Sequence, residues 1–229
     1  VRYSYINPKK YIDVNIIGFL NLIEISKELN IKKIVYASSS SVYGDNKKFP
    51  ISENSNCKPK NIYSVSKKLN EDMANLYNKI FKINFIGLRF FTIYGEWGRP
   101  DMLIFKIFKS NLTGSKLYLN NHGNHYRDFT YIDDAVKIVD KLIKKNLKGN
   151  KIFNICSNKP QNILRLINNF KKKNKLNIKM ISLHKADVIK THGNNNKIKK
   201  LLTNIKFTTF NNGFDKTFKW YKKYYKKII

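Results

Sequence analysis

Tyr63 and Lys67 stand in the order Tyr-x-x-x-Lys, inside a segment with helical apolar spacing. One turn of helix puts a phenol and an ammonium on the same face. A neighbouring cation favours a phenolate, which suits such a pair to general acid/base work. The spacing alone says little, because Tyr5 and Tyr43 also have lysines at +4, Lys9 and Lys47. The run Ser38-Ser39-Ser40-Ser41-Val42-Tyr43-Gly44 sharpens it. It follows an apolar strand-like stretch, where hydroxyls can hydrogen-bond a substrate oxygen and share its proton with Tyr63. The competing reading is a polar turn whose serines satisfy backbone groups.

Two arginine-bearing stretches complete the set: Arg89-Phe90-Phe91-Thr92-Ile93-Tyr94-Gly95-Glu96-Trp97-Gly98-Arg99-Pro100-Asp101, and Arg127-Asp128-Phe129-Thr130-Tyr131-Ile132-Asp133-Asp134. An arginine fork pairs well with a diphosphate or a carboxylate. Ordinary loops and an Asp-capped helix, with Asp133 as the cap, explain part of both stretches. His122 and His125 have no companion ligands at metal spacing, so a polar turn is the reading and no metal is expected. No Ser-His-Asp or Cys-His arrangement can be argued. The aromatics Phe218, Trp220, Tyr221, Tyr224 and Tyr225 read as core packing.

Alternating helices and strands position these residues. Asn7–Leu29 has helical spacing, Lys33–Ala37 is a short buried strand, and Asn61–Phe81 is a helix with Leu69, Met73, Leu76 and Ile80 on one face. Asn84–Arg89 is a second strand. This alternation is that of a parallel sheet, whose ligands bind at the carboxyl ends of strands. Beyond Gly95 the pattern loosens. Met102–Leu112 and Asp133–Lys145 read as helices, and 116–119 and 128–131 as short extended pieces. Lys151–Cys156 reads as a strand returning to the main sheet, and Phe214–Ile228 as an amphipathic aromatic helix. The cluster at 194–196 reads as a loop.

With 229 residues the chain can bury a sizeable core, and at 42% hydrophobic and 14% aromatic it is not disordered. Lysine and arginine total 45 against 15 acids, a formal net charge of +30. That balance raises nucleic acid or an anionic membrane as partners. Only five of the basic residues are arginine (Arg2, Arg89, Arg99, Arg127, Arg165), and asparagine and isoleucine are also abundant. The three enriched residue types share A/T-rich codons, and the lysines are dispersed, so a solvated surface is the preferred reading over a polyanion patch. Each surviving arginine becomes a candidate for bidentate work that lysine cannot do. Cys57 and Cys156 make no disulfide framework, and neither a signal peptide nor a bilayer-length apolar run is present. A cytoplasmic protein without a membrane span is expected.

Taken together, four ordered motifs resemble the extended short-chain dehydrogenase/reductase superfamily, and within it the nucleotide-sugar epimerases of the UDP-glucuronate 4-epimerase type. They are Val35–Gly44, Tyr63-x-x-x-Lys67, Leu88–Gly95 with Gly98–Met102, and Arg127–Asp134. The stretch Trp97–Met102 points to the uronate branch. The resemblance implies NAD as cofactor, a UDP-sugar as substrate, no nucleic acid, and a homodimer. Tyr63 would take the sugar 4-OH proton while NAD accepts the C4 hydride. The 4-keto sugar would turn over in the site and take the hydride back on its other face, converting UDP-glucuronate to UDP-galacturonate. Lys67 would favour the Tyr63 phenolate and hold the nicotinamide ribose. Ser39 would polarise the 4-oxygen, with Ser40 and Ser41 near the sugar carboxylate. Thr92 and Arg99 match positions facing carboxylate and diphosphate, Arg127 the diphosphate, and Asp187 the uridine ribose. Asn15 and Phe90 match the nicotinamide pocket. His184, and Ala186 beside Asp187, fall near the uridine end.

The implied fold is α/β: a doubly wound, Rossmann-like parallel sheet with a smaller C-terminal substrate-binding domain. Residues 1–95, rejoined by 151–158, would form the remainder of the NAD-binding domain, and residues 96–229 mainly the substrate domain. No glycine-rich phosphate loop occurs in the sequence, and in the family it lies upstream of Val1, so an N-terminally truncated domain is expected. Another NAD-dependent epimerase, dehydratase or decarboxylase remains open, as does an inactive fragment or a basic polyanion-binding scaffold. A dehydratase would carry an Asp-Glu pair where this chain has Ser40-Ser41.

Overall fold

Helical pieces laid end to end open the chain in the computed structural model, which describes residues 3–183 and 187–225. They are α1 (Tyr3–Ile6), α2 (Pro8–Tyr11), a π-helical stretch (Ile12–Ile17) and α3 (Gly18–Glu28). Asn7 starts α2, its side chain accepting from the Lys10 amide, with Pro8 in the first turn where a missing N–H costs nothing. Then come β1 (Lys33–Ser39), a 3-10 turn (Ser40–Tyr43), α4 (Ile62–Phe81) and β2 (Asn84–Phe90). The chain continues through β3 (Thr92–Tyr94), α5 (Leu103–Thr113), β4 (Lys116–Asn120), β5 (Tyr126–Tyr131) and α6 (Ile132–Lys144). The rest comprises β6 (Asn150–Ile155), β7 (Pro160–Asn162), α7 (Ile163–Lys171), β8 (Asn177–Ile181), α8 (Asn196–Leu201) and α9 (Phe210–Tyr224).

The main sheet has the order β1-β2-β6, all parallel, so Lys151–Cys156 returns to it as the sequence suggested. Its register sets Ser38 beside Arg89, Arg89 beside Asn154, and Ser39 beside Phe90. β5 pairs with β3 in parallel and with β7 antiparallel, while β4 and β8 form a separate parallel pair. One face of the main sheet packs on α3 and α4 through Phe19, Ile23, Tyr36, Ala74 and Phe85. The other is covered by α6 and α8, both beyond residue 95, through Ala135, Ile138, Leu142, Ile198 and Leu202.

Two expectations need correction. Asp133 does not cap α6. Tyr131 occupies the cap, Asp133 lies in the first turn, and Asp134 turns inward to accept from the Thr208 amide and hydroxyl. Carboxylates there still meet the positive end of the helix. In α4 the stripe Leu69, Met73, Leu76 and Ile80 divides: Met73 packs against the core, the other three are exposed, and the fully buried residues are Ser64, Ser66, Asn70, Glu71 and Ala74. Periodicity located the helix, but polar partners beneath it, described below, decide which side is covered.

The third core is aromatic. Phe108 of α5 is wholly buried and its ring centroid lies 4.9 Å from Phe214 and Phe218, 5.5 Å from Tyr221 and 6.1 Å from Phe170. The aromatics of α9 are therefore packing, with Tyr221 and Tyr225 buried in this cluster and Phe218 and Trp220 against it. Burial carries the Tyr221 hydroxyl up to about 12, and the hydroxyl donates to the Gly98 carbonyl. Phe108→Ala is expected to cost about 3–5 kcal/mol, because ring and cavity terms add. Urea unfolding followed by circular dichroism measures it. Among the described residues no helix is long and apolar enough to cross a membrane.

Candidate active site

Asn61 and Ser64 start α4 through a reciprocal capping box. The Asn61 side chain accepts from the Ser64 amide at 2.9 Å, and the Ser64 hydroxyl accepts from the Asn61 amide at 3.1 Å. The cap fixes where the helix begins, and so places Tyr63 and Lys67 in its first two turns. Lys67 reaches across to β1 and donates to the Ala37 carbonyl at 2.9 Å. Its burial disfavours the ammonium and lowers its pKa. The ring of Tyr63 stands edge-on to Tyr11 at 6.0 Å.

Asn15 arrives from the π-helical stretch, a distortion that often accompanies functional positions. Its amide donates to the Ser66 hydroxyl at 3.0 Å, and that hydroxyl donates to the Tyr63 carbonyl at 2.8 Å. Asn15 is thus tied through Ser66 to the backbone of the first turn of α4, which carries Tyr63. Ser39 ends β1, nearly buried, and its hydroxyl accepts from the Ser41 amide at 3.1 Å, capping the turn that carries Ser40 and Ser41. Ser39 thus serves the backbone, as the polar-turn reading expects, and it does so at the carboxyl end of a parallel strand. Phe90 is its neighbour in the sheet.

The substrate-side candidates sit on other elements. Thr92 opens β3, half-buried. Arg99 is exposed and forks onto Asp101, at 3.0 Å to each carboxylate oxygen. Exposed as it is, the pair is screened and worth at most about 1 kcal/mol, so an anionic ligand can compete for the fork. Arg127 donates to the carbonyls of Tyr126 at 2.9 Å and Ile189 at 3.0 Å, and contacts His125 Nδ1 at 3.2 Å. This ties β5 to the segment that carries half-buried Asp187. His184 and Ala186 lie outside the described residues. His125 is buried and its pKa is lowered, first by that burial and then by the Arg127 charge. Among the described residues no group of three or more His, Cys, Asp or Glu is placed to hold a metal.

Sequence reasoning marked Arg89 as a candidate for bidentate work, but gave no role to Glu71, Asn154 or Ser157 beneath the site. Arg89 is buried and grips Glu71 with two bonds, Nε to Oε1 at 2.8 Å and Nη2 to Oε2 at 2.7 Å. Its other arm donates to the Tyr43 hydroxyl at 2.9 Å, and that hydroxyl donates to Asn154 at 2.7 Å. Burial alone would lower the Arg89 pKa, but Glu71 and Tyr43 outweigh it and hold the guanidinium firmly charged. Asp128, wholly buried, accepts from the Ser157 amide and hydroxyl and from the Gly193 amide, joining β5 to two distant segments. Burial nonetheless raises its pKa against those bonds. One signal was readable: Tyr63, Lys67 and Glu71 recur every fourth residue, and Arg89 is a rare arginine in a lysine-rich chain.

Comparison with known proteins identifies the family. The NAD dependent epimerase/dehydratase family matches residues 1–156. Protein CapI of Staphylococcus aureus is 39% identical over 250 aligned positions, covering 99% of this chain and 74% of that protein. UDP-glucuronate 4-epimerase 4 of Arabidopsis thaliana is 39% identical, covering 98% of this chain and 56% of its own length. The solved structure of UDP-glucuronic acid 4-epimerase from Bacillus cereus, in complex with UDP-glucuronic acid and NAD, superposes with a TM-score of 0.86 at 28% identity. It covers 94% of this chain and 69% of that one.

Proposed function

The chain belongs to the NAD dependent epimerase/dehydratase family, and on that premise we propose that it interconverts UDP-glucuronate and UDP-galacturonate by inversion at C4. The observation that supports this reading is the bond from Lys67, of the Tyr63-x-x-x-Lys67 pair, to the Ala37 carbonyl, two residues before Ser39 ends β1. The resemblance to the Arabidopsis epimerase supplies the sugar. Ser40-Ser41, where a dehydratase would carry an acidic pair, favours epimerisation.

The residues fit an NAD nicotinamide ribose. An ammonium has three N–H donors, and Lys67 spends one on Ala37, leaving donors for a diol. Asn15, Tyr63 and Phe90 would line that end. When bound, the nicotinamide supplies the reversible two-electron oxidation that inversion at C4 requires. The chain's own contribution is proton handling and orientation. Tyr63 takes the proton from the sugar 4-OH and later returns it. Lys67 stabilises the phenolate before the proton is taken and again after it is returned. Ser39 donates a hydrogen bond to the 4-oxygen as it becomes a carbonyl. Ser40, Ser41 and Thr92 would face the sugar carboxylate, Arg99 and Arg127 the diphosphate, and Asp187 the uridine ribose. The cofactor would lie on the β1-β2-β6 side and the sugar nucleotide toward the segment after residue 95, in a cytoplasmic enzyme.

Incubating the chain with NAD and UDP-glucuronate, UDP-galacturonate or UDP-N-acetylglucosamine, and resolving products by proton NMR, tests the reading. Interconversion of the two uronates is expected, at least 100-fold faster than of the N-acetylated sugar; turnover of the latter alone would move the proposal to another branch. The pH profile gives a second check. Lys67 acts while protonated, and burial lowers its pKa, so kcat should fall as pH rises, along a limb below the ordinary lysine value of 10.5. Lys67→Arg, whose guanidinium keeps its proton, should abolish that limb while lowering the plateau.

A homodimer is proposed on the outward stripes of α3 and α4, where Leu22, Ile25, Leu69, Leu76 and Ile80 are all exposed. Sedimentation should show a dimer that Leu69→Glu/Leu76→Glu converts to monomer.

A further inference from the structure

Beneath the proposed acid/base pair lies an ion pair that packing alone does not call for. Glu71 and Arg89 have side-chain exposures of 5% and 6%. Removing both charges from water is costly, and well-packed apolar residues often serve stability as well or better. The fully buried positions of α4 are otherwise small or polar, with Ser64, Ser66, Asn70 and Ala74, while Met73 and Tyr77 pack only partly buried against the core. The pair is also directional. Glu71 Oε1 accepts from Arg89 Nε on β2 and from the Ser38 hydroxyl on β1 at 2.6 Å, while Oε2 accepts from Arg89 Nη2. Arg89 is itself held by Tyr43, the last residue of the serine turn, and by the Glu53 carbonyl at 3.1 Å.

We propose that the Glu71–Arg89–Ser38 cluster is a positioning device for the acid/base pair, an inference that rests on the proposed roles of Tyr63 and Lys67. Glu71 stands one turn beyond Lys67 and two beyond Tyr63 on one stripe of α4. Fixing its carboxylate between β1 and β2 sets the rotation and height of that stripe against the strand end bearing Ser39. Through Tyr43 the same arginine fixes the far end of the turn that holds Ser40 and Ser41. Neither Glu71 nor Arg89 needs to touch substrate. A bidentate fork does this work because two parallel bonds define an orientation and one does not. Retention of arginine here, in a chain that otherwise uses lysine so freely, accords with that geometric demand.

The test uses the full chain with Glu71→Gln, Arg89→Lys and the apolar replacement Ser38→Ala/Glu71→Met/Arg89→Met. Kinetics are read at a temperature where circular dichroism shows each variant folded. Glu71→Gln and Arg89→Lys should lower kcat at least tenfold with KM within threefold of the parent, since the nucleotide-side residues are elsewhere. The apolar replacement should regain the parent melting temperature and still lack at least tenfold in kcat. A purely structural role predicts that stability and kcat return together, and that result would overturn the proposal, as would parental kcat in folded Arg89→Lys. Hydrogen exchange separates this inference from the functional reading. If the parent chain turns over no UDP-sugar, that reading fails, and the amides of residues 63–68 decide the positioning alone. Exchange there at least tenfold faster in Arg89→Lys, with the amides of β6 unchanged, would support it; unchanged exchange would reject it.

Discussion

Tyr63→Phe is expected to reduce turnover of UDP-glucuronate by about 10³-fold, within the 10²–10⁴ range for loss of a positioned acid/base group. The substitution removes one oxygen from a half-buried ring and leaves its edge-on contact with Tyr11 in place. The helix cap, the Ser66 bond to the Tyr63 carbonyl and the Lys67 anchor all involve other atoms. Melting temperature and KM should therefore stay close to those of the parent chain. A loss of this size in kcat with unchanged stability assigns the oxygen to the chemistry. A fully active Tyr63→Phe variant would remove the phenol from the mechanism.

A large effect on folding is also expected at Gly44, which ends the serine turn. Its φ is +61°, a left-handed value that glycine tolerates and side chains seldom adopt. A Cβ there would lie 1.9 Å from the Lys58 carbonyl oxygen, a backbone atom that cannot rotate away. Backbone strain of this kind costs about 1–3 kcal/mol before any steric displacement is counted. Gly44→Ala should thus destabilise the chain by about 3–5 kcal/mol, the size of effect reserved for a few named mechanisms. Because Tyr43 precedes Gly44 and is tied to Arg89, relief of the clash would also shift the serine turn. Denaturant midpoints report the first consequence, and kcat of the folded fraction the second.

How much of this was legible in the sequence depends on the distance over which each feature is encoded. The helix at α4 and the strands β1, β2 and β6 follow from periodicity and apolar runs, and their parallel pairing follows from the alternation. Tyr63, Lys67 and the serines could be proposed as a site because their spacing is local. The covered side of α4 was not legible, because Leu69, Leu76 and Ile80 form the more apolar stripe, and only long-range bonds from Arg89 and Ser38 to Glu71 bury the polar one. Asp133 looked like a cap because nothing nearby announces Thr208, some 74 residues on, as the partner that turns Asp134 inward. Asp128 likewise gains its meaning from Ser157 and Gly193, which no local pattern joins to it.

The most direct test of the central reading is to supply UDP-glucuronate deuterated at C4 and follow the label through conversion. Removal and return of the C4 hydrogen within one closed site predicts UDP-galacturonate that keeps the deuterium at C4, with inverted configuration and no exchange with water. Product that has lost the label to solvent, or that carries it at another carbon, would contradict a C4 inversion run by Tyr63, Lys67 and Ser39.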